Sequence, residues 1–305
     1  MAIDINKHGN LKINMIKPIE SNQPYVLTAS CPGIVGTTAR ISGFLAKRHC
    51  YITDMQQFDD ILSGRFFMRC TFLRDTTLSP SLDLLREEFI ETASQESMEW
   101  AIHDSQSRMR VLIMVSKFDH CLNDLLYRQS IGELNMEVSA VVSNHPDLRK
   151  LTEWYNIPYY HLPITAETKS NQEAQLKNII EETASDLVVL ARYMQVLSND
   201  LCHYLQGRAI NIHHSFLPGF KGAKPYHQAH NRGVKLIGAT AHFVTADLDE
   251  GPIIEQVVER VDHTYTPEKM VSAGRNSECI ALSRAVCAFV EHRIFINGDK
   301  TVVFR

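Results

Sequence analysis

The chain has 305 residues, of which 44% are hydrophobic and 22% are charged, and its formal net charge is −4. This composition is typical of a folded globular chain of about two domains, and it excludes a disordered or fibrous protein. The 35 acidic residues outnumber the 31 Lys and Arg residues, which argues against nucleic acid or an anionic membrane as a partner, because both attract basic surfaces.

The cysteines and the N-terminal residues predict a cytoplasmic protein. The first ten residues carry no cationic segment followed by an apolar core, and no run in the sequence approaches the ~18 uninterrupted apolar residues that span a bilayer. The seven cysteines form no Cys-x-x-Cys pair, which is untypical of a disulfide framework or a thiolate zinc site. We therefore expect reduced thiols and no membrane span.

Residues 22–104 predict a small domain with the element order βαββαβ. The sequence pattern favours strands at 26–29, 51–58, 65–73 and 98–103, and helices at 34–48 and 81–92. This order is the split βαβ pattern of ferredoxin-like folds. The polar stretch 103–109 interrupts the pattern and predicts a linker.

Residues 109–305 predict a second domain of the α/β class. Apolar runs typical of strands buried on both faces lie at 111–115, 138–142, 187–190 and 209–212. Helical segments are expected between them, at about 121–131, 147–156, 171–184 and 199–206. The alternation favours a doubly wound, mostly parallel, Rossmann-like sheet, whose ligands bind at the carboxyl ends of the strands.

The strand at 209–212 leads into residues suited to acyl-group chemistry. Asn211 and His213 lie two positions apart, so both side chains face the same side of an extended chain. An amide N–H can hold a carbonyl oxygen as it becomes an oxyanion, and an imidazole can carry a proton near neutral pH. By the same alternation His214 points to the opposite face, which favours a structural role.

About thirty-five residues later, a predicted loop carries three carboxylates between two apolar runs. Asp249 is its candidate site residue, because a carboxylate can hold an imidazole in its charged form or orient a water molecule. Asp247, Asp249 and Glu250 do not have the spacing of an EF-hand calcium loop. His227 and His230 have no third metal ligand near them in the sequence. No metal is predicted.

Three motifs in this order resemble the folate-dependent formyltransferase family: Asn-Ile-His-His-Ser-Phe-Leu-Pro at 211–218, Gly-Ala-Thr-Ala-His-Phe-Val at 238–244 and Leu-Asp-Glu-Gly-Pro-Ile-Ile at 248–254. The resemblance covers about residues 109–304. It implies that Asn211, His213 and Asp249 surround the formyl group of 10-formyltetrahydrofolate, which is the substrate, with no separate cofactor. It also implies a substrate pocket formed by Met194, Gln195, Val196, Leu197, Thr240, His242 and Ala246.

Residues 24–103 resemble an ACT domain, a module that often binds amino acids and pairs subunits. The resemblance implies Gly33 as an effector-loop glycine, an amino-acid effector such as glycine or methionine, and a homodimer or homotetramer. In the second domain, the segment Ser-Lys-Phe-Asp-His-Cys-Leu at 116–122 lacks the glycines with which glycinamide ribonucleotide formyltransferases seat a phosphate. Over its whole length the chain resembles the formyltetrahydrofolate deformylases, in which water replaces the amine and releases formate and tetrahydrofolate for one-carbon and purine metabolism.

Two other functions stay open at this point: an amine-directed formyltransferase of the glycinamide ribonucleotide type, and a non-catalytic amino-acid sensor. Formate release without an acceptor would select the hydrolase, and absence of any turnover would select the sensor. Lys117 and His120 also have two interpretations, since they follow the first strand of the second domain. They either contact the substrate or organise water, or they begin an exposed helix.

Overall fold

The computed structural model describes residues 23–217, 219 and 225–305. The predicted start of the first domain, Asn22, lies outside these residues, as do the N-terminal segment considered for targeting and Pro218 of the first motif. The chain divides into two compact units, one ending at Gln106 and the other beginning at Ser107. This division falls within the stretch predicted as a linker.

The first unit is an antiparallel sheet with two helices. Its elements are β1 (Pro24–Pro32), α1 (Thr37–Lys47), β2 (Cys50–Asp60), β3 (Arg65–Arg74), α2 (Leu82–Ser94) and β4 (Glu99–Asp104). The strand order is β2-β3-β1-β4, and every neighbouring pair is antiparallel. Alternate residues of β3, among them Met68 and Phe72, join Phe44 and Phe89 of the helices in one core.

Helix α1 begins three residues later than its apolar pattern predicts. Gly36, at its N-cap, has φ of +93°, a left-handed conformation that cannot be part of the helix, so the helix begins at the next residue. Ile34 and Val35 therefore lie outside the helix, and 97% of Val35 is exposed. The prediction was wrong here because these two apolar residues fit the helical spacing without belonging to the buried face.

The second unit confirms the α/β prediction with a mostly parallel sheet. Its elements are β5 (Met109–Val115), α3 (His120–Ser130), β6 (Met136–Ser143), α4 (Arg149–Trp154), β7 (Tyr159–His161), α5 (Lys169–Glu182), β8 (Leu187–Leu190), α6 (Asn199–Tyr204), β9 (Ala209–His213), α7 (Pro225–Arg232), β10 (Leu236–Phe243), β11 (Ile253–Arg260), α8 (Pro267–Val290), β12 (Ile294–Asn297) and β13 (Lys300–Val303). The large sheet has the order β11-β10-β9-β8-β5-β6-β7. The five neighbouring strands β9, β8, β5, β6 and β7 run parallel, whereas β10 and β11 form an antiparallel edge beside β9.

The central strands are mostly apolar, because helices cover both faces of the sheet. Along β5, Val111, Ile113 and Val115 belong to the core on one face, and Leu112 and Met114 belong to the core on the other. Parallel strands end at the same edge, so the residues that follow β5, β8 and β9 come together there.

No helix in the described part of the chain is long and apolar enough to cross a membrane. The seven cysteines are free thiols, and five of them are buried.

Candidate active site

A cavity of about 300 Å³ lies at the carboxyl ends of β8 and β9. Its walls come from the segment after β8, the end of β9, strand β10 and the loop between β10 and β11. The polar and charged residues that line it are Arg192, Gln195, Asn211, His213, His214, His242, Thr245, Asp247 and Asp249. The position agrees with the strand-end rule for ligand sites in open α/β sheets.

His213 and Asp249 form a hydrogen-bonded pair at this cavity. The Nδ1 atom of His213 lies 3.1 Å from Oδ1 of Asp249. Because a carboxylate only accepts, Nδ1 carries the hydrogen, and the lone pair of the neutral ring is then on Nε2. Nε2 is buried and has no hydrogen-bond partner among the described residues. The pair therefore holds an imidazole in one tautomer, with its second nitrogen able to exchange a proton.

Asp249 reaches this position through a tight turn between β10 and β11. Its own φ is +58°, a left-handed conformation that Asp tolerates better than most residues. Two residues later, a Cβ at Gly251 would lie 1.8 Å from the carbonyl oxygen of Phe243, so only glycine fits there. Burial acts to raise the pKa of Asp249, but the hydrogen bond from His213, with His242 also close by, outweighs it and holds the pKa well below its usual value. Asp249 is therefore a carboxylate throughout the neutral range.

His242 positions the amide of Asn211 from the neighbouring strand. The two residues are directly opposed in the antiparallel pairing of β10 with β9. The Nδ1 atom of His242 lies 2.8 Å from the carbonyl oxygen of Phe243, so Nδ1 donates. In the neutral ring Nε2 then accepts from Nδ2 of Asn211 at 3.2 Å. One amide hydrogen of Asn211 is thereby fixed, which sets the orientation of the other.

Most of the residues expected to form the substrate pocket are found at the cavity. The expected lining residues Met194, Gln195, Val196, Leu197 and Ala246 do contribute to the wall of the cavity.

Thr240 does not line the cavity as its place in the predicted substrate pocket requires. Its side chain is fully buried, its hydroxyl donates to the carbonyl of Ser215 at 3.0 Å, and it accepts from the backbone N–H of Leu217 at 3.1 Å. Thr240 therefore holds the loop that follows β9.

His214 departs from the alternation argument. Strand β9 ends at His213, so the alternation no longer governs the next residue, and His214 lines the cavity as well. The two imidazole rings lie 5.1 Å apart between centroids. Burial, together with the charges of Arg192 and His213, lowers the pKa of His214 to about 4. His214 is therefore neutral at pH 7.

Behind the cavity lies a buried carboxylate that the sequence argument missed. Glu278, on α8, has a side chain only 2% exposed, and its oxygens face His120 Nε2 at 2.7 Å, Tyr226 Oη at 2.9 Å and Arg192 Nε at 3.3 Å. His120 thus begins α3 with its side chain mostly buried against Glu278 and does not line the cavity, whereas Lys117 is exposed. Nothing local in the sequence marks Glu278, because its partners come from three distant segments.

Within the described ranges, His120, Cys121 and Glu278 bring metal-ligand atoms within 4.8 Å of one another. The carboxylate of Glu278 already accepts a hydrogen bond from Tyr226 and faces the guanidinium of Arg192. A cation there would compete with a permanent positive charge, and the hydrogen bond with Cys279, together with burial, raises the pKa of Cys121 and helps to keep its thiol protonated. This arrangement favours a structural cluster.

In the first unit, Gly33 follows strand β1. Its backbone N–H donates to the carbonyl of Gly64 at 2.9 Å. A Cβ at Gly33 would lie 2.8 Å from Oδ1 of Asp59, so a larger residue would displace that carboxylate.

Comparisons with known proteins agree on one family. The formyl transferase family model matches residues 109–286. A formyltetrahydrofolate deformylase from Corynebacterium sp. (strain P-1) is 53% identical over 92% of this chain and 98% of its own length. The crystal structure of a formyltetrahydrofolate deformylase from Burkholderia mallei is 59% identical, with a TM-score of 0.89 over 93% of this chain and 100% of that one. The structure of glycinamide ribonucleotide transformylase 1 from Symbiobacterium toebii is 28% identical, with a TM-score of 0.62 over 65% of this chain and 95% of that one.

Proposed function

Because this chain belongs to the formyltetrahydrofolate deformylases of the formyl transferase family, we propose that Asn211, His213 and Asp249 carry out its reaction. The enzyme hydrolyses 10-formyltetrahydrofolate to formate and tetrahydrofolate. The deformylases match more than nine-tenths of the chain, whereas the transformylase matches about two thirds at half the identity, so an amine-directed transferase is not favoured. The observation that carries the residue assignment is the His213–Asp249 pair at the cavity where Asn211 is held by His242.

Asn211 supplies the hydrogen bond to the formyl oxygen. As water attacks the formyl carbon, this oxygen becomes an oxyanion, and an amide N–H stabilises it without changing its own protonation. His242 fixes the amide before the reaction begins, so no reorganisation is needed at that step.

His213 moves the proton. Its Nε2 takes a proton from the attacking water, while Asp249 stabilises the imidazolium that forms. The same N–H then contacts the oxyanion and passes its proton to N10 as the bond between carbon and N10 breaks. Asp249 acts through its charge and its hydrogen bond, because its lowered pKa makes it a poor proton acceptor. The products are formate and tetrahydrofolate, with one further proton released to solvent.

The segment Met194, Gln195, Val196 and Leu197 is proposed to contact the pterin ring. Met194 and Val196 are half exposed at the cavity wall, which gives them apolar surface to cover with a bound ring. Ala246 and His242 also line the cavity. Hydrolysis consumes only water and the formylated folate, so we propose no separate cofactor, and the free thiols support a cytoplasmic location.

Incubation of the purified protein with 10-formyltetrahydrofolate and no acceptor tests this function. We expect formate and tetrahydrofolate to appear in equal amounts, because water is the acceptor. A chain that released tetrahydrofolate only after an amine was added would be a transferase. A chain without turnover in either condition would be a sensor.

We further propose that the first unit is an ACT domain that binds an amino acid near Gly33 and assembles the enzyme into a homodimer or homotetramer. Its βαββαβ order and the close approach of Gly33 to Gly64 and Asp59 support this proposal. Calorimetric titration with glycine and with methionine should give saturable heat for at least one of them. Gly33→Leu should abolish that heat, and absence of heat with both amino acids would contradict the proposal.

A further inference from the structure

Arg192 stands where the backbone would favour glycine. It follows strand β8 and has φ of +66°, a left-handed conformation that is costly for a long side chain. Such strain persists only where the surrounding structure enforces it, and it concentrates at functional sites. Arg192 lines the cavity with Asn211, His213 and Asp249. An unfavourable backbone thus places Arg192 at the wall of the reaction cavity.

The surrounding residues hold this cation in place. The side chain of Arg192 is 10% exposed, with Nε 3.3 Å from Oε2 of Glu278, and its guanidinium lies over the ring of Phe118 at 5.3 Å. Glu278 is fixed in turn by His120 and Tyr226. A carboxylate near a reaction cavity could attract an ammonium group, but here it is already neutralised from within the protein.

On the premise of the proposed hydrolysis, we propose that Arg192 is a specificity-determining residue that excludes amine acceptors from the cavity and so reserves the formyl group for water. Arg192 lines the cavity whereas Glu278 does not, so incoming groups meet the cationic member of this ion pair.

The two competing reactions differ in the charge they develop. When water attacks, an O–C bond forms, the C–N10 bond breaks, and the proton transferred through His213 ends on N10. When an amine attacks, an N–C bond forms instead, and the attacking nitrogen becomes positive before it gives up its proton. A fixed guanidinium repels that nitrogen, and it also repels the protonated amine before entry. Water enters uncharged, and because His213 removes its proton as the O–C bond forms, its oxygen carries less positive charge than the amine nitrogen does.

The test is the partition between formate and formylated amine with glycinamide as the probe. Its amino group resembles an α-amino group, whose pKa is about 8, so an assay at that pH offers both the neutral and the charged amine. Native enzyme should give formate with only a trace of N-formylglycinamide. Arg192→Gln should raise the ratio of N-formylglycinamide to formate by roughly tenfold or more, the size expected for removing a unit charge at several Å in an effective dielectric of about 20. Arg192→Lys, which keeps the charge, should stay close to the native ratio.

The ratio separates this role from a structural one, because a merely less stable enzyme would lose both products together. Arg192→Gly suits the left-handed backbone and should show the same shift as Arg192→Gln if the latter folds poorly. Equal product ratios in native, Gln and Gly enzymes would overturn the proposal, and so would loss of all turnover in every variant. The proposed hydrolysis itself fails on a different result, namely no formate from the native enzyme without glycinamide.

Discussion

Asn211→Ala is expected to slow formate release by roughly 10²–10³ while leaving the fold intact, since one oxyanion donor typically contributes that much. The amide acts most strongly when the formyl oxygen becomes negative, so the loss should fall on kcat with little change in KM. Steady-state kinetics of formate release measures both constants. Asn123→Ala, on the exposed face of α3, is the matched control and should keep the native rate.

The hydrogen bond between His242 and Asn211 allows a second test of the oxyanion assignment. His242 holds the Asn211 amide at 3.2 Å but does not itself bind the formyl oxygen in the proposed reaction, so His242→Ala should cost less activity than Asn211→Ala. The double variant should lose little more activity than Asn211→Ala alone, because His242 acts by orienting an amide that this variant no longer has. A fully active Asn211→Ala enzyme would remove the basis of the oxyanion assignment.

The sequence predicted those parts of the fold whose pattern is local. The strand 187–190 was located to the residue because all four of its side chains are buried and apolar, a pattern that needs no knowledge of partners. Helix α8 was not predicted. Its interior carries Gly274, Ser277 and Glu278 on buried positions, and at Gly274 a Cβ would lie 2.0 Å from Cζ of Tyr226. Those residues interrupt the apolar periodicity for reasons of close packing and polar pairing that appear only in three dimensions.

The candidate site shows the same division. Asn211 and His213 could be placed on one face by strand alternation, since both lie within β9. Asp249 reaches His213 through a turn whose left-handed residue and close Gly251 contact have no periodic signature. Arg192 and Glu278 are 86 positions apart in the sequence and meet only after the sheet and α8 have packed. Charge pairs of that kind are set by tertiary structure, which no local pattern encodes.

Asp249→Asn is expected to reduce formate release by roughly 10³–10⁴, because a neutral amide cannot stabilise the imidazolium of His213 and can present its N–H to the ring instead. Asn tolerates the left-handed backbone at this position, so the turn should survive. Glu250→Gln removes the same charge from the exposed neighbouring position and should remain close to native. His213→Ala should be as damaging, and the double variant should be scarcely worse than either, since both residues serve one proton transfer.

The lowered pKa of Asp249 predicts how the stability of the fold depends on pH. Its folded pKa is lower than its unfolded value, so the carboxylate stabilises the fold above the unfolded pKa of about 3.9, and that stabilisation is lost as pH falls from there toward the folded pKa. In urea unfolding, the difference in free energy of unfolding between native and Asp249→Asn proteins should be constant from about pH 5 to 8 and shrink below about pH 4. A difference that instead shrank between pH 5 and 7 would mean that Asp249 protonates there, which the hydrogen bond from His213 should prevent.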